Sequence, residues 1–537
     1  MAERAPPDIA EIHRLMSEAA AAFSRGNLQQ AAQGAARTLE LMPNMPEALH
    51  LLGLCFLHGG DAPRATLLLR HAALLRPADV QLLHNLGIAS KDAGDVTGAL
   101  GAFTRAVMQD PAQVESRFNL GVLSEEAGDT AAAELAYREV LMRNRRHAGA
   151  AAYLAGVLEQ RSELEEAAHW SGVALELSPG EPVANLTAAQ LDLRGGRLEQ
   201  AVARLESLLG QSALSPRNRG LAAARLGAAY DRLDQPDLAW PQFAAAKAAL
   251  RETVRPQNEG VYGFAPAARM QRHLDALLQP GPATEDPQPV FLVGFPRSGT
   301  TLLDQILSGH PGIQTLEEKD TLQDVLQASV LDDADLEAFL AADTAALAAW
   351  HRAYWQRVAE YLPQRRADAV FVDKLPLNSV FMPLMQRLFP AARFIFALRD
   401  PRDVVLSCFM QGFDLNEAMR HFLSLEETAR YYAAVMQVGA ESAERLGQRV
   451  HRVRYEDVVA DTENEARRLL AFLDLAWDPK VLEFQKTARG KRINTPSYSQ
   501  VTEPIYTRAK GRWTKYEAQL APVLPALEPF IMRFGYL

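Results

Sequence analysis

Phe291-Leu-Val-Gly-Phe-Pro-Arg-Ser-Gly-Thr-Thr-Leu-Leu303 decides how the second half of this chain folds. Phe291 to Val293 are apolar and suit a buried strand, Gly294 to Gly299 form a tight loop, and Thr300 opens a helix. Leu302, Leu303, Ile306 and Leu307 share one face of that helix. A strand, a glycine-bounded loop and a helix N-terminus make an anion site, because unpaired backbone N–H groups and the helix dipole converge on the loop. Gly294 and Gly299 have the spacing of a Walker A loop, but Thr300 stands where the lysine belongs and Arg297 is the loop's cation. A nucleotide triphosphatase without that lysine loses its β/γ-phosphate contact, so the loop suits another kind of phosphate carrier.

Further strands follow the loop, each delivering a polar group at its end. Leu316-Glu317-Glu318-Lys319 comes after the turn His310-Pro311-Gly312. Ala369-Val-Phe-Val-Asp373 delivers Lys374 at the carboxyl edge, where α/β ligands bind. Arg393-Phe-Ile-Phe-Ala-Leu398 delivers Arg399, with Ser407 eight residues on in a helix that begins near Pro401. Val450 to Val458 reads as a strand and turn containing Tyr455, with Glu456 and Asp457 placed to cap the next helix. Arg402 pairs with Asp400 or Asp403 on this reading and stays outside the site. Trp350, Tyr354 and Trp355, at helix spacing, read as core, with the lining of an acceptor pocket the alternative for one of them.

Pro296-Arg-Ser-Gly-Thr-Thr301 resembles the 5′-phosphosulfate loop of sulfotransferases that use 3′-phosphoadenylyl sulfate (PAPS). Arg399-Asp-Pro-Arg-Asp-Val-Val-Leu-Ser407 resembles their 3′-phosphate motif. The resemblance covers roughly residues 289 to 537 and is nearest to the tyrosylprotein branch. It implies that Arg297, Ser298, Gly299, Thr300 and Thr301 hold the 5′-phosphate, and that Arg399, Ser407, Tyr455 and Arg512 hold the rest of the nucleotide. It implies Glu318, twenty-one positions after Arg297, as general base, and Lys374 as the cation at the bridging oxygen. Ser497, within Ser497-Tyr-Ser-Gln-Val-Thr-Glu-Pro-Ile-Tyr506, helps to neutralise the transferring group, and Arg297 shares in that task. Two positions depart from the branch pattern: Lys319 stands for threonine and Gln411 for arginine. The basic run Lys486 to Arg492 reads either as a cover for the cofactor or as a solvated loop.

The N-terminal half is repetitive. Leu52-Gly53, Leu86-Gly87, Leu120-Gly121 and Leu154-Ala155 recur every 34 residues. Gly26, Gly60, Gly94, Gly128 and Gly196 keep that register, with Ser162 in one copy, and an alanine follows each five residues later. Pro43, Pro77, Pro111 and Pro179 close repeats, with Arg145 where one proline is missed. The pattern resembles a tetratricopeptide array of about seven hairpins, ending in a shifted copy around Leu226-Gly227 and Ala239. Small residues let paired helices approach closely, and stacked hairpins bury one continuous core. Such an array serves peptide recruitment or acts as a dimerisation or packing scaffold.

The totals agree. With 537 residues and ordinary apolar and charged content, the chain is expected to be globular with two or more domains. Net charge is −10, which gives no global attraction to nucleic acid. Two cysteines, Cys55 and Cys408, rule out a disulfide framework and fit a reducing compartment. No apolar run approaches the ~20 residues of a membrane span, and the N-terminus lacks a signal-peptide core; the reading is cytoplasmic. No metal-ligand cluster stands out.

The expected architecture is an α-solenoid over 1–250, a linker over 251–288 with a short helix near Ala267 to Leu278, and a P-loop-like α/β domain with a parallel sheet over 289–537. The expected reaction is transfer of a sulfuryl group from PAPS to an acceptor hydroxyl on a peptide or glycan, without a metal. The rivals are a nucleotide or small-molecule kinase, which lacks its Walker lysine here, and a peptide-binding scaffold with an inactive enzyme half.

Overall fold

The computed structural model describes residues 9–254, 260–281, 287–413, 415–483 and 510–536. The chain divides into two compact units, Met1–Leu191 and Asp192–Leu537.

The first unit is built of antiparallel helical pairs: Ile9–Ser24 with Leu28–Leu41, Pro46–His58 with Ala62–Leu75, Val80–Asp92 with Val96–Gln109, Val114–Glu126 with Thr130–Arg143, and Ala148–Gln160 with Leu164–Leu177. The periodic residues explain the geometry. Gly26, Gly60, Gly94 and Gly128 all have φ near +80°, the left-handed conformation that ends a helix without a Cβ penalty. Ser162 adopts the same conformation at φ 62°. The residue after each glycine caps the second helix: Asn27, Asp61, Asp95 and Asp129 each accept a backbone N–H three residues on. Each such cap contributes about 1 kcal/mol. A Cβ on Gly87 would lie 2.5 Å from the Phe103 ring and one on Gly121 2.6 Å from Tyr137, so both glycines are required where the paired helices meet.

The second unit opens with hairpin helices, including α1 (Pro216–Arg232) and α2 (Pro236–Arg251). Asp234 at their turn has φ 59°, matching the left-handed turns of the first unit. Two short helices, Phe264–Arg272 and Leu274–Leu277, lie in the stretch read as a linker. Then come five strands: β1 (Val290–Gly294), β2 (Ile313–Glu317), β3 (Val370–Lys374), β4 (Arg393–Leu398) and β5 (Val450–Arg454). They form one parallel sheet in the order β2-β3-β1-β4-β5.

β1 is central and wholly buried. Its alternation splits two cores: Phe291 and Val293 join the larger one, with Tyr354, Phe389 and Phe394, while Val290 and Leu292 join Leu303, Ile306 and Leu469 on the opposite face. Gly294 is fixed by neighbouring backbone, since a Cβ there would lie 2.6 Å from the Ala397 carbonyl oxygen. Between β2 and β3 the chain is helical, ending in α4 (Thr344–Tyr361); α3 (Thr300–Ser308) follows β1 and α5 (Pro401–Met410) follows β4. Trp350 packs on Phe339 and Tyr354 is fully buried, as expected of core residues. No helix among the described residues is long and apolar enough to cross a membrane.

Candidate active site

Because all five strands run parallel, their carboxyl ends lie along one edge, and the polar groups delivered there share it. After β1 the chain turns through Phe295 to Gly299, where the Ser298 N–H donates to the Phe295 carbonyl at 3.1 Å. Arg297 has φ 72° and Gly299 φ 92°. A non-glycine residue held left-handed costs about 1–3 kcal/mol, so the turn geometry at Arg297 is imposed by its surroundings. Gly299 is doubly constrained, because a Cβ would also meet Tyr455 at 2.7 Å. Ser298, Thr300 and Thr301 are buried at the start of α3, whose first N–H groups have no intrahelical acceptor.

The Arg297 Nε donates to Ser407 Oγ at 3.0 Å, and an Arg399 Nη donates to the Arg297 carbonyl at 3.0 Å. The Arg399 guanidinium lies 5.0 Å from the Tyr455 ring centroid. β1, β4, α5 and the end of β5 thus bring Arg297, Arg399, Ser407 and Tyr455 together. Asp403, fully buried, approaches Arg399 at 3.9 Å and accepts the N–H groups of Gly511 and Trp513 at 2.7 and 2.8 Å. It therefore ties the returning C-terminal segment to the cation cluster.

A second group forms where β2 and β3 end. Pairing continues one residue past the strand, with the Glu318 N–H donating to the Lys374 carbonyl at 2.7 Å. Glu318 is left-handed at φ 48°. Lys374 is fully buried, and its Nζ donates to Glu317 at 2.9 Å and Glu318 at 2.8 Å. Burial alone would depress its pKa; the charges of Glu318, Glu317 and Asp304 more than offset this and raise it above the ordinary lysine value. Beside it, Asp373 accepts from Thr321 Oγ1 at 2.7 Å and the Tyr354 hydroxyl at 2.9 Å, and burial pushes its carboxyl up to about 6. Glu317, Asp373 and Thr321 carry no role in the sequence reading, and Asp403 only that of a possible partner of Arg402. Glu317 and Asp373 adjoin residues that do carry one, which is the one signal that pointed to them.

Arg512 forms an ion pair with Asp231 of α1 at 2.9 Å, and none of its described contacts joins it to Arg399 or Ser407. Ser497 and the basic run Lys486 to Arg492 lie outside the described residues. Arg402 pairs with Asp400 at 2.7 Å and stacks on Trp513, in keeping with its exclusion. Glu456 and Asp457 lie in the first turn of the helix Tyr455–Ala460, which has no side-chain cap; Glu456 accepts the Asp400 N–H and the Tyr536 hydroxyl, and Asp461 caps the next helix, Thr462–Phe472. Lys319 lies over the Tyr361 ring. No group of three or more metal-ligating side chains occurs among the described residues.

The donor set fits a doubly phosphorylated nucleotide: guanidinium groups match phosphate geometry, and the glycine turn lets backbone approach closely.

Residues 289–479 match the sulfotransferase family model. An uncharacterised protein of Aquifex aeolicus is 26% identical over 413 residues, covering 73% of this chain and 52% of that protein, so the chain spans about half of that relative's length. Protein-tyrosine sulfotransferase A of Caenorhabditis elegans is 26% identical over 46% of this chain and 67% of its own length. Human protein-tyrosine sulfotransferase 1 is 27% identical over 46% of this chain and 69% of its length. Among solved structures, a tetratricopeptide repeat protein from Parabacteroides merdae covers 45% of this chain and 93% of its own, at 16% identity and a TM-score of 0.38. Residues 289–479 are thus similar to the sulfotransferase family, and the first unit carries a 34-residue register of helical hairpins like that of tetratricopeptide repeats.

Proposed function

We propose that the domain transfers a sulfuryl group from PAPS to an acceptor hydroxyl. The observation that carries this reading is the pairing of two groups on one sheet edge: the Arg297–Ser407–Arg399 cluster and the Lys374–Glu318 ion pair. Arg297 and the start of α3 receive the 5′-phosphate, and Arg399, Ser407 and Tyr455 receive the 3′-phosphate end. Arg512 and Ser497 are proposed as further contacts from the C-terminal segment. Glu318 accepts the acceptor's proton as the new sulfur–oxygen bond forms. Lys374, fully buried and positively charged, stabilises the charge that builds on the departing phosphate oxygen. Its bonds to Glu317 and Glu318 hold ammonium and base in register before the acceptor arrives.

A protein tyrosine is the acceptor we favour, on the strength of the relatives' names and the loop-to-base spacing. The repeat array is proposed to hold the acceptor polypeptide, as extended concave arrays do. We place the domains at 1–250 and 289–537 with a linker between, and the protein in the cytoplasm.

Calorimetry tests the donor reading. Adenosine 3′,5′-bisphosphate should bind at least tenfold tighter than adenosine 5′-monophosphate, since a charge-assisted pair contributes about 1.5–3 kcal/mol. Equal affinities would reject it.

A further inference from the structure

The turn from Glu318 to Thr321 leaves β2 in a conformation that side chains disfavour, with Glu318 left-handed at φ 48°. β3 grips that turn at both ends. Where it starts, the Glu318 N–H donates to the Lys374 carbonyl at 2.7 Å. Where it ends, the Thr321 hydroxyl donates to Asp373 Oδ2 at 2.7 Å. The two grips come from consecutive residues of β3, whose side chains point to opposite faces of the sheet. Lys374 therefore meets the Glu318 carboxylate on one face, at 2.8 Å, while Asp373 holds the far end of the turn from the other.

Asp373 is a costly residue for its position. It is 1% exposed, and its register partner on β1, Phe291, belongs to the larger core. Its Oδ1 has no hydrogen-bond partner among the described residues. A buried carboxyl bonded through one oxygen is less stable than an apolar side chain packed in the same space, so packing does not account for it. Its two donors differ in what they hold. The Tyr354 hydroxyl reaches the same Oδ2 at 2.9 Å and ties α4 to β3. Thr321, equally buried, comes from the turn that carries Glu318.

We propose that Thr321 and Asp373 are positioning residues for proton transfer to Glu318: their bond closes the turn on β3 and fixes the Glu318 carboxylate beside Lys374. This rests on the reading of Glu318 as the base. A loosened turn misplaces that carboxylate and slows the chemical step, while donor binding at the Arg297–Arg399 cluster is left alone.

The test compares Thr321→Val, Thr321→Ser, Tyr354→Phe and Glu318→Gln with the full wild-type chain. It measures sulfuryl transfer from PAPS to tyrosine-containing peptides and a simple phenol, the Kd of adenosine 3′,5′-bisphosphate, and thermal melting. Thr321→Val, which keeps the shape and loses the hydroxyl, should lower kcat at least tenfold with the bisphosphate Kd held within about threefold. Thr321→Ser should restore kcat to within about threefold of wild type. Tyr354→Phe removes a bond to the same oxygen outside the turn, and its kcat should also stay within about threefold. A Thr321→Val kcat near wild type, or an equal loss in Tyr354→Phe, overturns the proposal and leaves the base reading intact. A wild-type chain that labels nothing, or a Glu318→Gln chain that labels normally, sinks the base reading and the proposal with it. Should Thr321→Val not fold, Asp373→Asn takes its place. Its amide accepts from Thr321 without the charge, so kcat should fall about fivefold at pH 7 with the bisphosphate Kd unchanged; an unaltered kcat overturns the proposal.

Discussion

Replacing Glu318 by glutamine separates chemistry from architecture more cleanly than any other single change at this site. The amide oxygen can still accept from Lys374 Nζ, which the carboxylate meets at 2.8 Å, and Lys374 keeps Glu317 at 2.9 Å. The backbone bond from the Glu318 N–H to the Lys374 carbonyl is untouched. With the Glu318 side chain about one-third open to solvent, the lost charge–charge attraction amounts to about 1 kcal/mol. In a chain of this length that lowers the melting temperature by only a few degrees. The Kd for adenosine 3′,5′-bisphosphate should stay within about threefold of wild type, because the amide leaves the Arg297–Arg399 cluster alone. Turnover should drop about 10²–10⁴-fold, which is roughly 3–5 kcal/mol of transition-state stabilisation. Initial rates at saturating donor, with calorimetric Kd and thermal melting on the same preparation, decide the matter. A kcat within tenfold of wild type would mean that Glu318 is not the base. A fall in donor affinity matching the fall in kcat would mean that it holds the cofactor site together instead.

Two further predictions concern the loop and the buried acid. Gly299→Ala must place a Cβ at φ 92° and 2.7 Å from Tyr455; donor affinity should fall at least tenfold, read by calorimetry. Asp373 has a folded pKa of about 6, above its ordinary 3.8, so its stabilising contribution is complete below about pH 4 and is lost as pH rises through 6. Asp373→Asn escapes that loss, and its stability relative to wild type should improve between pH 4 and 7 by up to about 3 kcal/mol. Denaturant midpoints that track each other across that range would refute the assignment.

Much of this was legible from residues, for physical reasons. The 34-residue register of glycines marks left-handed turns that few other residues tolerate, and the one substitute, Ser162, adopts the same conformation. Asn27, Asp61, Asp95 and Asp129 belonged to the same signal and passed unremarked, because capping residues are common in any polar loop. In the second unit, apolar runs mark the buried parallel strands, β3 and β4 leading into Lys374 and Arg399 and β1 into the glycine-bounded loop. What escaped depends on partners distant in sequence. Asp403 reads as a candidate partner of Arg402 until Gly511 and Trp513 are seen to donate to it. Glu456 looked like a cap because it opens a helix, but its partners are Asp400 and Tyr536. Arg512 has the motif position of a phosphate ligand, and only the fold brings Asp231 beside it.

Sulfuryl transfer at the edge shared by Arg297, Glu318, Lys374 and Arg399 is put to the test by incubating the full chain with PAPS labelled in its sulfuryl group, in the presence of a metal chelator. Tyrosine-containing peptides, glycans and simple phenols are offered as acceptors. The wild-type chain should label a hydroxyl acceptor, with peptide tyrosine the first choice, and Glu318→Gln should label it at least a hundredfold less. Absence of label from every acceptor, or equal labelling by the two chains, would contradict it.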